Sequence, residues 1–183
     1  MSNARTLPLR DIAKPGRFGA DKGLPGVEIS IQHPLSLVMV IARKNKSKTT
    51  QQKLDSLIAA TVMWAGPDQW LVQAIDREVG ALLTELERKL GDMASVVDQS
   101  HGRVVINVGG IRARDVLGKG TPVDLHSDVF PVGKSALTQM AHVGVHITRT
   151  GQNEFTLSVF RGFAESFWEW LCTSAAEFGY QVR

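Results

Sequence analysis

The sequence predicts an α+β fold: a single domain of two similar halves in which antiparallel hairpins pack with helices. Three observations carry that reading. Segments with a two-residue hydrophobic period alternate along the chain with segments of helical period. Two hairpin signatures turn through short runs rich in Gly, Pro, Asp or Asn. Each hairpin is followed by a longer amphipathic helix, so strands and helices are interleaved with antiparallel neighbours.

Residues 1–26 form a flexible N-terminal arm in this reading, with residues 27–183 as the single α+β domain. The arm carries Pro8, Pro15 and Pro25 with Gly16, Gly19, Gly23 and Gly26, and too few large apolar residues to order itself. Val27, Ile29 and Ile31 then alternate with Glu28, Ser30 and Gln32 as a half-buried strand. After His33-Pro34, the apolar run Leu35–Ala42 reads as a buried strand. Thr49 and Gln52 have capping-box spacing ahead of a short helix bearing Leu54, Leu57 and Ile58. Thr61–Trp64 and Trp70–Val72 flank Gly66-Pro67-Asp68 in the first hairpin. Asp76 is placed to cap the helix of Val79, Leu82, Leu83, Leu86 and Leu90, which Gly91 ends. Arg103–Val108 is a strand, Ile111–Leu117 a short helix entered through Gly109-Gly110, and Thr121–Gly133 a loop. Val143, Val145 and Ile147 pair with Phe155, Leu157 and Val159 across Gly151-Gln152-Asn153. Residues 163–178 form a helix with Phe163, Phe167, Trp170, Leu171 and Phe178 on one stripe and Gly179 as its C-cap. The order strand, short helix, hairpin, long helix therefore runs twice, which suggests an internal duplication.

Composition excludes several classes. At 183 residues and 43% hydrophobic content the chain can bury a core without staples. Its one cysteine, Cys172, closes no intrachain disulfide, and no zinc-type Cys/His spacing occurs. No apolar run reaches the ~18 residues of a membrane span, and no signal-peptide core is visible, so a cytoplasmic location without membrane association is expected. The net charge of +3 resides in residues 1–26, which hold five basic against two acidic groups; the remaining chain is neutral. The dense run Arg43-Lys44-Asn45-Lys46-Ser47-Lys48 has no interleaved aromatics to stack on bases. It reads as a solvated loop, and no nucleic-acid partner is expected.

A search for chemistry assigns no catalytic, cofactor-binding or metal residue. His142 and His146, four apart on a strand, stand ~13 Å from each other and cannot chelate one ion; a solvated strand face is expected for both. His33 and His101 punctuate loops, and His126 beside Asp124 and Asp128 reads as a surface loop. Gly133-Lys134-Ser135 copies the end of a phosphate loop, but Asp128 stands where its first glycine is required. No nucleophile elbow exists, and Cys172 sits in an aromatic helix without a basic neighbour.

Eight of the twelve aromatic residues fall between Phe155 and Tyr180. Trp168, bordering the polar side of its helix with Glu165 and Glu169, is a candidate protein contact. Arg5, Arg10 and Arg17 of the arm join it as the expected partner interface. The arm is expected to order on that partner.

Longer motifs carry a resemblance. Gly66-Pro67-Asp68-Gln69-Trp70-Leu71-Val72, Asp98-Gln99-Ser100-His101-Gly102-Arg103-Val104-Val105-Ile106, Arg112-Ala113-Arg114-Asp115-Val116-Leu117, Phe130-Pro131-Val132-Gly133 and Trp168-Glu169-Trp170-Leu171 stand in order over about residues 60–175. So spaced, they resemble the gamma subunit family of heterotetrameric sarcosine oxidases. The likeness weakens over residues 1–60, and Gly110 stands where that family's pattern has proline. The resemblance implies a fold similar to the folate-binding domain of aminomethyltransferase, and a non-catalytic structural role beside alpha, beta and delta subunits, chiefly alpha. It implies an assembly that oxidatively demethylates sarcosine to glycine with hydrogen peroxide and passes the one-carbon unit to tetrahydrofolate. It places FAD, covalent FMN, NAD, tetrahydrofolate and zinc on the partner chains and no cofactor on this one. The alternatives are a stand-alone folate-binding protein of that fold and a nucleic-acid accessory protein using the basic segments.

Overall fold

The computed structural model describes residues 9–20, 23–33, 35–75 and 80–183. Hydrophobic alternation and turn chemistry produce two sheets. One has four strands: β3 (Leu35–Ala42), β4 (Thr61–Gly66), β5 (Gln69–Ile75) and β6 (Ala94–Asp98), in the order β4-β5-β3-β6. The other has seven. Its order is β1 (Gly16–Phe18), β11 (Tyr180–Val182), β2 (Val27–Ile31), β7 (Arg103–Gly109), β10 (Glu154–Phe160), β9 (Val143–Gly151) and β8 (Ser135–Met140). The helices are α1 (Ser47–Asp55), α2 (Ala81–Leu90), α3 (Ala113–Gly118) and α4 (Ala164–Ala175).

The expected repeat is present, longer by β6 in the first half and by β8 and β11 in the second. β3-α1-β4-β5-α2-β6 is a βαββαβ unit, and β7-α3-β8-β9-β10-α4-β11 is the same unit with β8 added before its hairpin. In the first unit β6 pairs directly with β3. In the second, β2 lies between β7 and β11, antiparallel to the former and parallel to the latter, while β8 extends the far edge.

Burial divides along the alternation. Val38, Val40, Trp70 and Val72 turn one face of the small sheet onto α2, where Leu82, Leu86 and Leu90 recur at helical spacing. Ile29, Ile106, Val108, Ile147, Phe155 and Leu157 turn one face of the large sheet onto α3 and α4. A third cluster, with Leu37, Met63, Ala65 and Leu71 of the small sheet against Val105 of the large one, joins the sheets face to face.

Of four expectations, three change and one is met at the helix end that is described. First, the described part of the N-terminal segment is packed rather than free. Leu9 is 4% exposed within the large core, β1 pairs with β11, and Phe18 stacks on Tyr180 at 5.3 Å. The glycines and prolines that argued for an arm punctuate a three-residue edge strand instead. Second, α1 begins at Ser47, with Lys46 at the N-cap and no side-chain cap, so Thr49 caps nothing. Asn45 at φ 63° turns the chain, and the Lys46 N–H donates to Arg43 O, which starts the helix early. Third, α2 ends at Gly91 as expected, but Asp76 and Val79 lie outside the described residues.

Fourth, the buried stripe of α4 is Ala164, Phe167, Trp168, Leu171 and Ala175. Trp168 is 5% exposed and belongs to the core, whereas Phe163 is 54% exposed. The stripe runs i, i+3, i+4, i+7, i+11 once its two alanines are counted. Weighing aromatics alone rotates it by a residue. Gly120 receives this packing: a Cβ there would stand 2.3 Å from the Trp170 ring.

Candidate functional site

The large-sheet side of the layer between the sheets is rich in polar residues, and strand register makes it so. Ser30, Asn107, Thr156, Thr148 and Ser135 align in one row across β2, β7, β10, β9 and β8. The Thr156 hydroxyl donates to Asn107 Oδ1 at 2.9 Å, and the Ser135 and Thr148 hydroxyls bond at 2.8 Å. The next row is Val105, Ser158, His146 and Leu137.

His146 is not on a solvated face; it is 1% exposed. Its Nε2–H donates to the Trp64 carbonyl at 2.8 Å and pins β9 to the edge of the small sheet. Burial lowers its pKa, the charge of Arg103 acts in the same direction, and the bond to the Trp64 carbonyl opposes both. The ring is therefore a neutral cross-sheet strut. Polar residues alternating with apolar ones usually mark a wet face; here a second sheet covers it.

Toward one end the layer opens into a cleft of about 430 Å³. Ser30, Asn107 and Thr156 line it from the large sheet, and Thr61, Met63 and Gln73 from the small one. Gln73 Nε2 donates to Gln32 Oε1 at 2.5 Å across the gap. At the mouth Arg183 pairs with Glu28 at 2.8 Å; both side chains are about half exposed, so water screens the pair. Glu154 also lines the cleft.

The other groups singled out in the sequence do not converge there. His126 lies on an exposed turn, where its backbone N–H donates to Asp124 at 2.8 Å and its ring is 3.6 Å from Asp128. His142 occupies an exposed turn position at φ 67°, and His33 and His101 are exposed. Lys134 of the phosphate-loop-like run donates to Val129 O at 2.6 Å and lies over the Phe130 ring. Burial pushes the Cys172 thiol up, partly offset by its hydrogen bond with Tyr180, while the Tyr180 phenol is pushed up to about 12. Among the described residues no group of three His, Cys, Asp or Glu side chains could hold a metal ion.

Of the expected interface, Arg10 and Arg17 are exposed, and Arg17 donates to Gly23 O at 3.2 Å. Arg5 lies outside the described residues. Trp168, as a core residue, presents almost nothing to a partner. The cleft residues Gln32, Gln73 and Asn107 escaped notice, although one signal existed. Gln73 is an amide inside the otherwise apolar strand Trp70-Leu71-Val72-Gln73-Ala74-Ile75, where an uncharged polar group needs a partner.

Fold and site together define a class: a duplicated βαββαβ domain whose two sheets meet through a part-polar layer that opens into an amide-lined cleft. Residues 52–177 match the family described as "Sarcosine oxidase, gamma subunit family". The chain is 36% identical over 179 residues to the sarcosine oxidase subunit gamma of Corynebacterium sp. (strain U-96), covering 97% of this chain and 83% of that one. A second such subunit, from Arthrobacter sp., is 36% identical over 118 residues, 64% of this chain and 57% of its own. The fold is similar to a chain of the heterotetrameric sarcosine oxidase from Corynebacterium sp. U-96, with a TM-score of 0.75 at 25% identity over 88% of both chains. It is also similar to the glycine cleavage system aminomethyltransferase T of Bartonella henselae, with a TM-score of 0.62 at 15% identity over 86% of this chain and 47% of that one. The chain belongs to the sarcosine oxidase gamma subunit family. Its fold is the aminomethyltransferase-like α+β architecture that the resemblance implied. No helix among the described residues is long and apolar enough to cross a membrane.

Proposed function

We propose that this chain is the gamma subunit of a heterotetrameric sarcosine oxidase and serves that assembly as a structural part. The observation that carries the reading is the likeness to a gamma subunit over 97% of the chain. In the proposed assembly, alpha, beta and delta chains hold the FAD, FMN, NAD, tetrahydrofolate and zinc. They oxidise sarcosine to glycine, reduce dioxygen to hydrogen peroxide, and deliver the one-carbon unit to tetrahydrofolate in the cytoplasm. The gamma chain contributes a rigid two-sheet body, contacting chiefly the alpha chain. The exposed Arg10 and Arg17 are its candidate contacts.

The test is to recover tagged chain from its native cells and resolve it by size-exclusion chromatography with light scattering and absorbance at flavin wavelengths. A yellow assembly far above 20.0 kDa, with three other chains, is the expected result. A colourless monomer that binds tetrahydrofolate would overturn it in favour of the stand-alone folate-binding alternative.

A further inference from the structure

The cleft holds an unmet hydrogen-bonding pattern that the assembly role does not use. Gln73 is 7% exposed, and its Nε2 is committed to Gln32 Oε1. Its own Oε1 is buried with no hydrogen-bond partner, which costs stability unless a donor arrives. Gln32 Nε2 donates to none of the described residues. The bond between the two amides holds both in the cleft wall and leaves one acceptor, Gln73 Oε1, and one donor, Gln32 Nε2. Across the cleft, Asn107 Oδ1 accepts from Thr156, which leaves the Asn107 amide N–H groups as a further donor.

The surroundings narrow what could fit. Met63 supplies an apolar, polarisable surface from the small sheet, and the volume of about 430 Å³ suits a small organic molecule. Charge excludes a strongly anionic ligand, because Glu28 and Glu154 line the cleft against one guanidinium, Arg183, which already pairs with Glu28. The geometry points to a binding site for a small, uncharged planar amide, a lactam heterocycle or a primary carboxamide. Its N–H donates to Gln73 Oε1 and its carbonyl accepts from Gln32 Nε2. Such a ligand satisfies the buried oxygen and mirrors the amide pair already present.

The site stands apart from the assembly role, and its test separates the two. Full-length chain labelled with nitrogen-15 is titrated with uracil, with nicotinamide, and with 1,3-dimethyluracil, which keeps the ring but carries no N–H. The expected result is saturable shifts of the Gln32 side-chain amide and of backbone signals near Gln73 and Asn107 with uracil or nicotinamide, at least roughly tenfold weaker with 1,3-dimethyluracil. Gln73→Met, which removes the unpartnered oxygen at similar volume, should abolish the shifts while retaining the dispersed spectrum of the folded chain. Asn107→Ser provides a second reading, with binding weakened but not lost. Absence of any saturable shift at millimolar probe, or equal binding of 1,3-dimethyluracil, would overturn the site and leave only a hydrated cleft. Neither outcome alters the co-elution expected of a subunit, and a failed co-elution leaves the titration result standing.

Discussion

The first half of the chain, β3 to β6, and the second, β7 to β11, follow the same connection apart from the added β8, and part company at the last strand. In the first, β6 lies directly against β3 and forms the edge of its sheet. In the second, β11 cannot reach β7, because β2 occupies the place between them, and β1 then covers the outer side of β11. The difference teaches that the segment before β3 is part of the second half's core. Ile29 is fully buried among β7, β10 and α4 residues, and Gly26 and Gly110 meet so closely that a Cβ on Gly110 would stand 2.4 Å from the Gly26 carbonyl oxygen. Gly110 has φ 110°, which proline cannot adopt. The close approach of the two glycines makes this a turn shaped to receive the inserted strand.

The comparison can be broken most severely at α4. Trp168→Ala should destabilise the folded chain by about 3–5 kcal/mol, as for a large buried aromatic, whereas Phe163→Ala should stay within about 0.5 kcal/mol. Urea denaturation checks both; a stable Trp168→Ala chain that fails only in assembly would return Trp168 to the interface. The inserted strand comes next. Ile29→Ala should cost about 2–5 kcal/mol, on the scale of Leu86→Ala in the first half's core. If β2 were an appendage, Ile29→Ala would leave the denaturation midpoint unchanged.

The smallest effect sharpens the contact between halves. Because the folded-state pKa of His146 lies below its unfolded value near 6.5, its contribution to stability is fully present above that pH. It is lost as pH falls from there through the folded pKa, since protonation puts a charge in the inter-sheet layer. His146→Gln should flatten the dependence of the denaturation midpoint as pH falls below about 6.5. An unchanged slope would show that another group carries it.

These regions also mark how far the sequence could be read. Hairpins β4–β5 and β9–β10 and helix α2 were legible because their signals are local: alternation, a turn, a stripe with a terminal glycine. β1, β6 and β11 are three to five residues long and become strands only through pairing with distant partners. His146 looked solvated because alternation reports that two faces differ, and not what covers the polar one. The cleft was illegible for a related reason. Gln32 and Gln73 lie 41 residues apart and meet only when the sheets stack. Trp168 was misread through attention to ring size over helical geometry.

The inserted strand also sets a schedule for synthesis. Glu28 and Arg183, bridged across the cleft mouth, are separated by 155 residues, and the strands beside them, β2 and β11, are neighbours in the finished sheet. On the ribosome β2 emerges early, yet β7 appears only after the whole first half, and β11 much later still. The first half can close by itself while β2 waits unpaired, an exposed strand with two open edges. Such long-range closure is slow relative to local folding. The newborn chain therefore passes through a stage in which Val27–Ile31 is a ready template for pairing with another copy, and rapid completion of the second half is its protection against aggregation.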